Sequence, residues 1–264
     1  MNYIGIRGHR GAGKSSIAFL LGQTIDTLLR FPNLSLTSFE EMYDKWCKEL
    51  LDDPIEAYNN VENRHIIYES FSDSIMVFIR LLLGCPDAYT DDAHNDSIVF
   101  NVKDLTYMDR DEFDGNLITA KEMYNSIDTE SHPQAITKKS WMTMGEFIIY
   151  FGMEVMQRFF GKNVWVNSVK ASSNEFDQWH DQVSFNYKIF NDIKTEVEAQ
   201  FIRDMGGVIV KVVRPTNKKG KSSLESLCKD DNFNYIIEVN GDLQSTIYNV
   251  IDLAQNIIKK YENE

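Results

Sequence analysis

The chain has 264 residues, enough for one large domain or one domain carrying a long insertion, and its 43% hydrophobic and 12% aromatic content is that of a folded globular protein. Its 27 Lys and Arg against 40 Asp and Glu leave a formal charge of −13, which argues against a general coat for nucleic acid and leaves room only for a local basic groove. Cys47, Cys85 and Cys228 form no CxxC pair and have no His at ligand spacing, so they read as reduced thiols rather than as a zinc site or a disulfide framework.

The opening, MNYIGIRGHRGAGKSS, places glycines and charges where a secretory signal needs a continuous apolar core, so export by that route is not expected. YIGIRG reads as a short strand ending in glycine, and the segment from Lys14 to Leu29 follows with Ile17, Leu20, Leu21 and Ile25 at helical spacing. The order is therefore strand, glycine loop, helix. A helix over Leu36–Leu51, a strand near His65–Phe71 and a helix over Asp73–Leu83 come next. The most apolar stretch, Ser74–Gly84, is about half the length of a bilayer span and carries Arg80, so no membrane segment is expected.

From Asp87 to Asp114 nine acidic side chains face only Lys103 and Arg110, a net −7 that holds over half of the charge excess. Their spacing does not fit a calcium loop, and residues 84–140 read as a solvated acidic insertion. Trp141–Phe160 has the helical pattern Met144, Phe147, Ile148, Phe151, Val155, Phe159, and Val164–Ala171 predicts a second helix after Gly161; both are expected to pack on the sheet. Then come a strand (Ser184–Phe190), a helix (Thr195–Met205), a strand (Gly207–Val213), a basic loop, a strand (Tyr235–Val239) and a terminal helix (Leu243–Tyr261). This alternation predicts a parallel sheet covered by helices on both faces.

Gly8-His9-Arg10-Gly11-Ala12-Gly13-Lys14-Ser15 matches GxxxxGKS/T in full, directly between the predicted strand and helix. Glycines let successive backbone N–H groups turn toward an anion, and the helix behind them directs its positive end at the same point. Gly8, Gly11, Ala12, Gly13, Lys14, Ser15 and Ser16 thus form a candidate ATP cradle. Lys14 would reach the β and γ phosphates, and the Ser15 hydroxyl is of the type that ligates Mg2+. No NKxD motif stands where a guanine reader would need it, which disfavours a GTPase.

With that motif in place, the chain resembles the deoxynucleoside monophosphate kinases of tailed bacteriophages. FGMEVMQRFFGKNVWV (Phe151–Val166) is similar to the family's LQxxGTExxR…W, and FNDIKTEVEAQFIRDMGGVIVKVVRP (Phe190–Pro215) to its xDxRxxxExxxxxxxGgxvixvxRP. YESFSDSIMVFIRLLLG (Tyr68–Gly84) looks like its fAdplKxxxxxlfG, and YIIEVNGDLQSTI like its C-terminal strand and helix. The resemblance implies a three-layer α/β P-loop kinase fold with a parallel sheet of about five strands and a helical acceptor-binding insertion, in a single domain spanning 1–264. It assigns Lys14, Ser15 and Ser16 to donor phosphates and magnesium, and Trp165, Asp192 and Glu198 to the acceptor side. Gly152 marks the tight turn of the GTE motif, followed by Glu154 and Arg158. Arg214 opens a basic lid loop, 214–226, with Lys218, Lys219 and Lys221. A homodimer, a phage source and a host-cytoplasm location are implied in the same way.

Departures concentrate on the acceptor half. Gly145, Ile149 and Met153 stand where the family has Arg, Gln and Thr, Met76 replaces a Lys, and Lys194 replaces the Arg of DxR, keeping charge but losing bidentate phosphate geometry. Asp192 is expected to orient the acceptor or a magnesium-bound water, Trp165 to stack on or wall the base, and Glu198 to bond sugar or base, with Met153 and Lys194 in the same region. Structural duties compete for these residues: Asp192 as a cap of the Thr195 helix, Trp165 as core, Glu154 and Arg158 as a surface pair, the basic loop as a solvated hairpin. His9 and Arg10 receive no catalytic role, and Met142, Met144, Met153 and Met156 read as core or pocket wall. Three functions follow: an ATP-dependent deoxynucleoside monophosphate kinase, a kinase of hydroxymethylated pyrimidine within DNA, or a nucleotide-binding protein without transferase activity.

Overall fold

A computed structural model describes residues 1–9, 12–52, 65–83, 98–101, 106–126, 141–179, 186–214, 232–240 and 243–263. Residues Met1–Phe71 and Ser173–Glu264 form one compact unit, and Ser72–Ser172 form a second. The inserted unit is thus longer than the acidic stretch 84–140 from which an insertion was read.

In the first unit the elements are β1 (Asn2–Gly8), α1 (Lys14–Arg30), α2 (Leu36–Asp52) and β2 (Ile66–Glu69). The second unit contributes α3 (Asp73–Leu83), β3 (Ile98–Asn101), β4 (Thr106–Asp109), α4 (Ala120–Ser126), β5 (Trp141–Thr143), α5 (Met144–Ile149), a π-helical segment (Tyr150–Met156) and α6 (Gln157–Phe160). They are followed by α7 (Val164–Trp179), β6 (Tyr187–Phe190), α8 (Glu196–Asp204), β7 (Val208–Val213), β8 (Tyr235–Glu238) and α9 (Leu243–Glu262).

The first unit is built on a five-stranded sheet in the order β2-β6-β1-β7-β8, with every neighbouring pair parallel. Strand alternation decides which layer each side chain joins. Ile4 and Ile6 of β1 enter a core with Ile17, Leu21 and Ile25 of α1, Phe39 and Tyr43 of α2, and Val250 and Ala254 of α9. Tyr3 points the other way, stacking on Phe190 at 6.3 Å and meeting Phe201 of α8 edge-on at 6.0 Å. A methyl group on Gly5 would collide with Ile193 on that same face. Helices therefore cover both faces, as the alternation of elements predicts, and all five strands end at one edge.

Within the second unit, β4-β3-β5 form an antiparallel sheet. Reading the acidic stretch as a solvated insertion missed it, because β3 is only four residues long, although all four are buried. The helix expected over Trp141–Phe160 begins at Met144: Trp141–Thr143 pairs with β3, and the Thr143 hydroxyl then caps α5 by accepting from Glu146 N at 3.2 Å. Instead of joining the parallel sheet's core, Phe147, Tyr150 and Trp165 cluster with Phe100, Met142 and Met123 of their own unit.

Candidate functional site

The loop after β1 starts where two backbones abut. A Cβ on Gly8 would lie 2.5 Å from the Val212 carbonyl of β7, so any side chain there would push the strands apart. Ala12 N donates to His9 O at 3.0 Å, closing the turn, and Gly13 begins α1 with φ of +91°. Space does not require glycine at position 13, since a Cβ there would meet nothing within 4 Å; the left-handed backbone does. Helix α1 has no acid in its first turn and no side-chain cap, so its N–H groups and positive end are not neutralised from within that turn. Ser15 and Ser16 are exposed on that turn. Arg10 and Gly11 lie outside the described residues.

Lys14 folds back over this loop. Its Nζ donates to His9 O at 3.3 Å and stands 3.6 Å from Asp192 Oδ1. Asp192 follows β6 on a segment fixed from both sides, with Asn191 N bonded to Glu69 O of β2 at 3.1 Å and Ile193 N to Ile6 O of β1 at 2.9 Å. Its second oxygen, Oδ2, pairs with Lys194 Nζ at 2.9 Å. The chain thus brings together Lys14, Asp192 and Lys194 at the carboxyl ends of β1 and β6, the edge at which parallel α/β sheets bind ligands. Arg214 is exposed at the same edge, directly after β7.

Glu198 has a different duty from the one expected. Its Oε2 accepts from Lys194 N at 2.7 Å and Thr195 N at 2.9 Å, while Glu198 N donates to Thr195 Oγ1 at 3.3 Å. This is a complete capping box, so the helix cap is Thr195 with Glu198 and not Asp192. Burial raises the Glu198 carboxyl above the ordinary glutamate range, opposed by the two backbone N–H groups and the Lys194 charge.

Three acceptor-side candidates belong to the second unit. Trp165, expected to wall a base, is 5% exposed and spends its indole N–H on Gly152 O at 2.8 Å. Gly152 lies inside the π-helical segment rather than in a tight turn, with a hypothetical Cβ 2.9 Å from Ile75 Cδ1. Met153 Sδ accepts from Gln157 Nε2 at 3.3 Å. The Glu154 side chain, Lys218, Lys219 and Lys221 lie outside the described residues.

One ion pair near the edge was not anticipated. Lys188 Nζ of β6 sits 3.1 Å from Glu69 Oε2 of β2, with the Lys188 side chain only 3% exposed. The signal was a lysine inside the otherwise apolar strand YKIF. Cys47 is a free thiol, and Cys85 and Cys228 lie outside the described residues. Among the described residues no helix is long and apolar enough to cross a membrane, and no group of three or more His, Cys, Asp or Glu is placed to hold a metal ion. No protein-family model matches this sequence, and no curated protein matches it.

Proposed function

We propose that this chain is an ATP-dependent phosphotransferase that moves the γ-phosphoryl group of ATP to a deoxynucleoside monophosphate, giving ADP and the diphosphate. The observation that carries this reading is the convergence of an uncapped helix start at Gly13 with Lys14 and the Asp192–Lys194 pair on one edge of a parallel sheet. A polyphosphate fits those residues: first-turn N–H groups and an ammonium group supply positive charge. The resemblance to phage deoxynucleoside monophosphate kinases supplies the acceptor class.

In this reading the attacking atom is an already anionic phosphate oxygen, so no general base is needed and the protein's work is alignment and charge neutralisation. The α1 N-terminus holds the donor phosphates, and Lys14 swings from His9 O and Asp192 onto their oxygens. The Ser15 hydroxyl would help hold Mg2+, which when bound screens the charge between the β and γ phosphates. Arg214 adds positive charge from the end of β7, and the rest of the basic loop expected as a lid, 215–226, lies outside the described residues. Asp192 stands between the two lysines and holds Lys194 the more closely.

A second reading, nucleotide binding without transfer, is favoured by the structural commitments of Trp165 and Glu198. A coupled assay of ADP release separates the two, run with ATP and Mg2+ against deoxynucleoside and ribonucleoside monophosphates, 5-hydroxymethyl forms and hydroxymethylated DNA. Turnover with one or a few monophosphates, lowered on the order of 10²-fold or more in Lys14→Ala, is expected. ATP binding with no turnover on any acceptor would leave the second reading standing.

A further inference from the structure

We infer that Lys194 is a positioning residue that keeps Asp192 from capturing Lys14, and so sets how readily the Lys14 ammonium is given up to a phosphate ligand. The inference rests on the nucleotide-binding part of the proposed function and concerns a competition within the site. Asp192 has one oxygen toward each lysine, and the two contacts are unequal. Lys194 is at hydrogen-bonding distance, 2.9 Å, whereas Lys14 stands at 3.6 Å and directs a hydrogen bond to His9 O instead. A carboxylate already engaged by one ammonium attracts a second less strongly, and transferring Lys14 from Asp192 to a phosphate does not leave the carboxylate without a counter-ion.

The backbone around the triad favours such an exchange. Asp192 is fixed by the bonds of Asn191 N to Glu69 O and Ile193 N to Ile6 O, and Lys194 by its own N–H on Glu198 Oε2. Lys14, at the start of α1, is the lysine whose side chain already reaches the loop, at His9 O. Side-chain exposures of 15%, 21% and 32% for Lys14, Asp192 and Lys194 put the triad at the boundary of solvent, where the attraction is partly screened and exchange costs little. Removing the Lys194 charge shifts Asp192 onto Lys14, and the ligand then has to break a tighter pair.

The test is a double-mutant cycle on binding alone, with ADP as the probe in EDTA so that neither acceptor nor metal contributes. Lys194→Met is expected to weaken ADP binding about three- to tenfold in the wild-type background and less than twofold in the Asp192→Asn background, because the competitor is then gone. Lys194→Arg, which keeps a cation on Asp192, is expected to bind within about twofold of wild type. An equal loss in both backgrounds would overturn the inference, since it would mean that Lys194 attracts the phosphates directly. No loss in either background would also overturn it. If wild type fails to bind ADP, ATP or tripolyphosphate, the functional reading itself fails and this inference with it. Circular dichroism and thermal midpoints control for folding, and Glu198 caps through backbone N–H groups, those of Lys194 and Thr195, which all three substitutions retain.

Discussion

Gly13 and Glu198 owe their identities to different physical demands. Gly13 adopts a left-handed backbone at the start of α1. Gly13→Ala is therefore expected to lower stability by about 1–2 kcal/mol even though the added methyl has room, as a shift in the urea midpoint would show. At Glu198 the buried carboxyl has a raised pKa, so the folded chain binds that proton more tightly than the unfolded one. This contribution to stability is full below the ordinary glutamate pKa, is lost as pH rises through the raised folded value, and is constant above it. Glu198→Gln keeps an oxygen for the cap and removes that slope, which unfolding midpoints measured from pH 4 to 8 would show as a flatter profile. The position of Lys14 was legible because its neighbours spell out a loop, whereas the partnership of Asp192 with Lys194 was not. Two residues of like spacing on a loop carry no local signal of which way their side chains turn.

Among the elements, the segment from Met144 to Trp179 departs most from its expected role. Helical periodicity was correct over most of it, but periodicity does not distinguish an α turn from the π turns of Tyr150–Met156, nor does it say which sheet a helix will cover. Trp165 belongs to the core there, and Trp165→Phe removes the donor to Gly152 O. A loss of about 1–3 kcal/mol is expected, seen as a lower thermal midpoint, with the acceptor KM unchanged within about twofold. A raised KM at unchanged stability would return the indole to the acceptor. Strands β1, β6 and β7 were readable from apolar runs bounded by glycine or by helix caps. The short strands β3 and β4 were hidden in acid-rich sequence, because four residues leave little periodicity, and although they pair locally with each other, the pairing of β3 with β5 spans some forty positions. Capping boxes were legible in principle, since Thr119–Glu122 and Thr195–Glu198 both have the T-x-x-E pattern.

For the whole molecule, alternation of strands and helices foretold a parallel sheet between helices, and the first unit has that architecture with five strands. It did not foretell that residues 72–172 form a compact unit with a sheet and core of their own. That unit's core draws on Ile75, Phe100, Met142 and Trp165, residues scattered over some ninety positions, and no local pattern joins them. The central claim is phosphoryl transfer, and its most direct measurement is the movement of label from γ-labelled ATP to a deoxynucleoside monophosphate, resolved by product chromatography for wild type and Lys14→Ala. Labelled diphosphate that forms with wild type and falls on the order of 10²-fold with Lys14→Ala is the result this account predicts. Label that stays in ATP with every monophosphate offered, or transfer that survives the loss of Lys14, would contradict it.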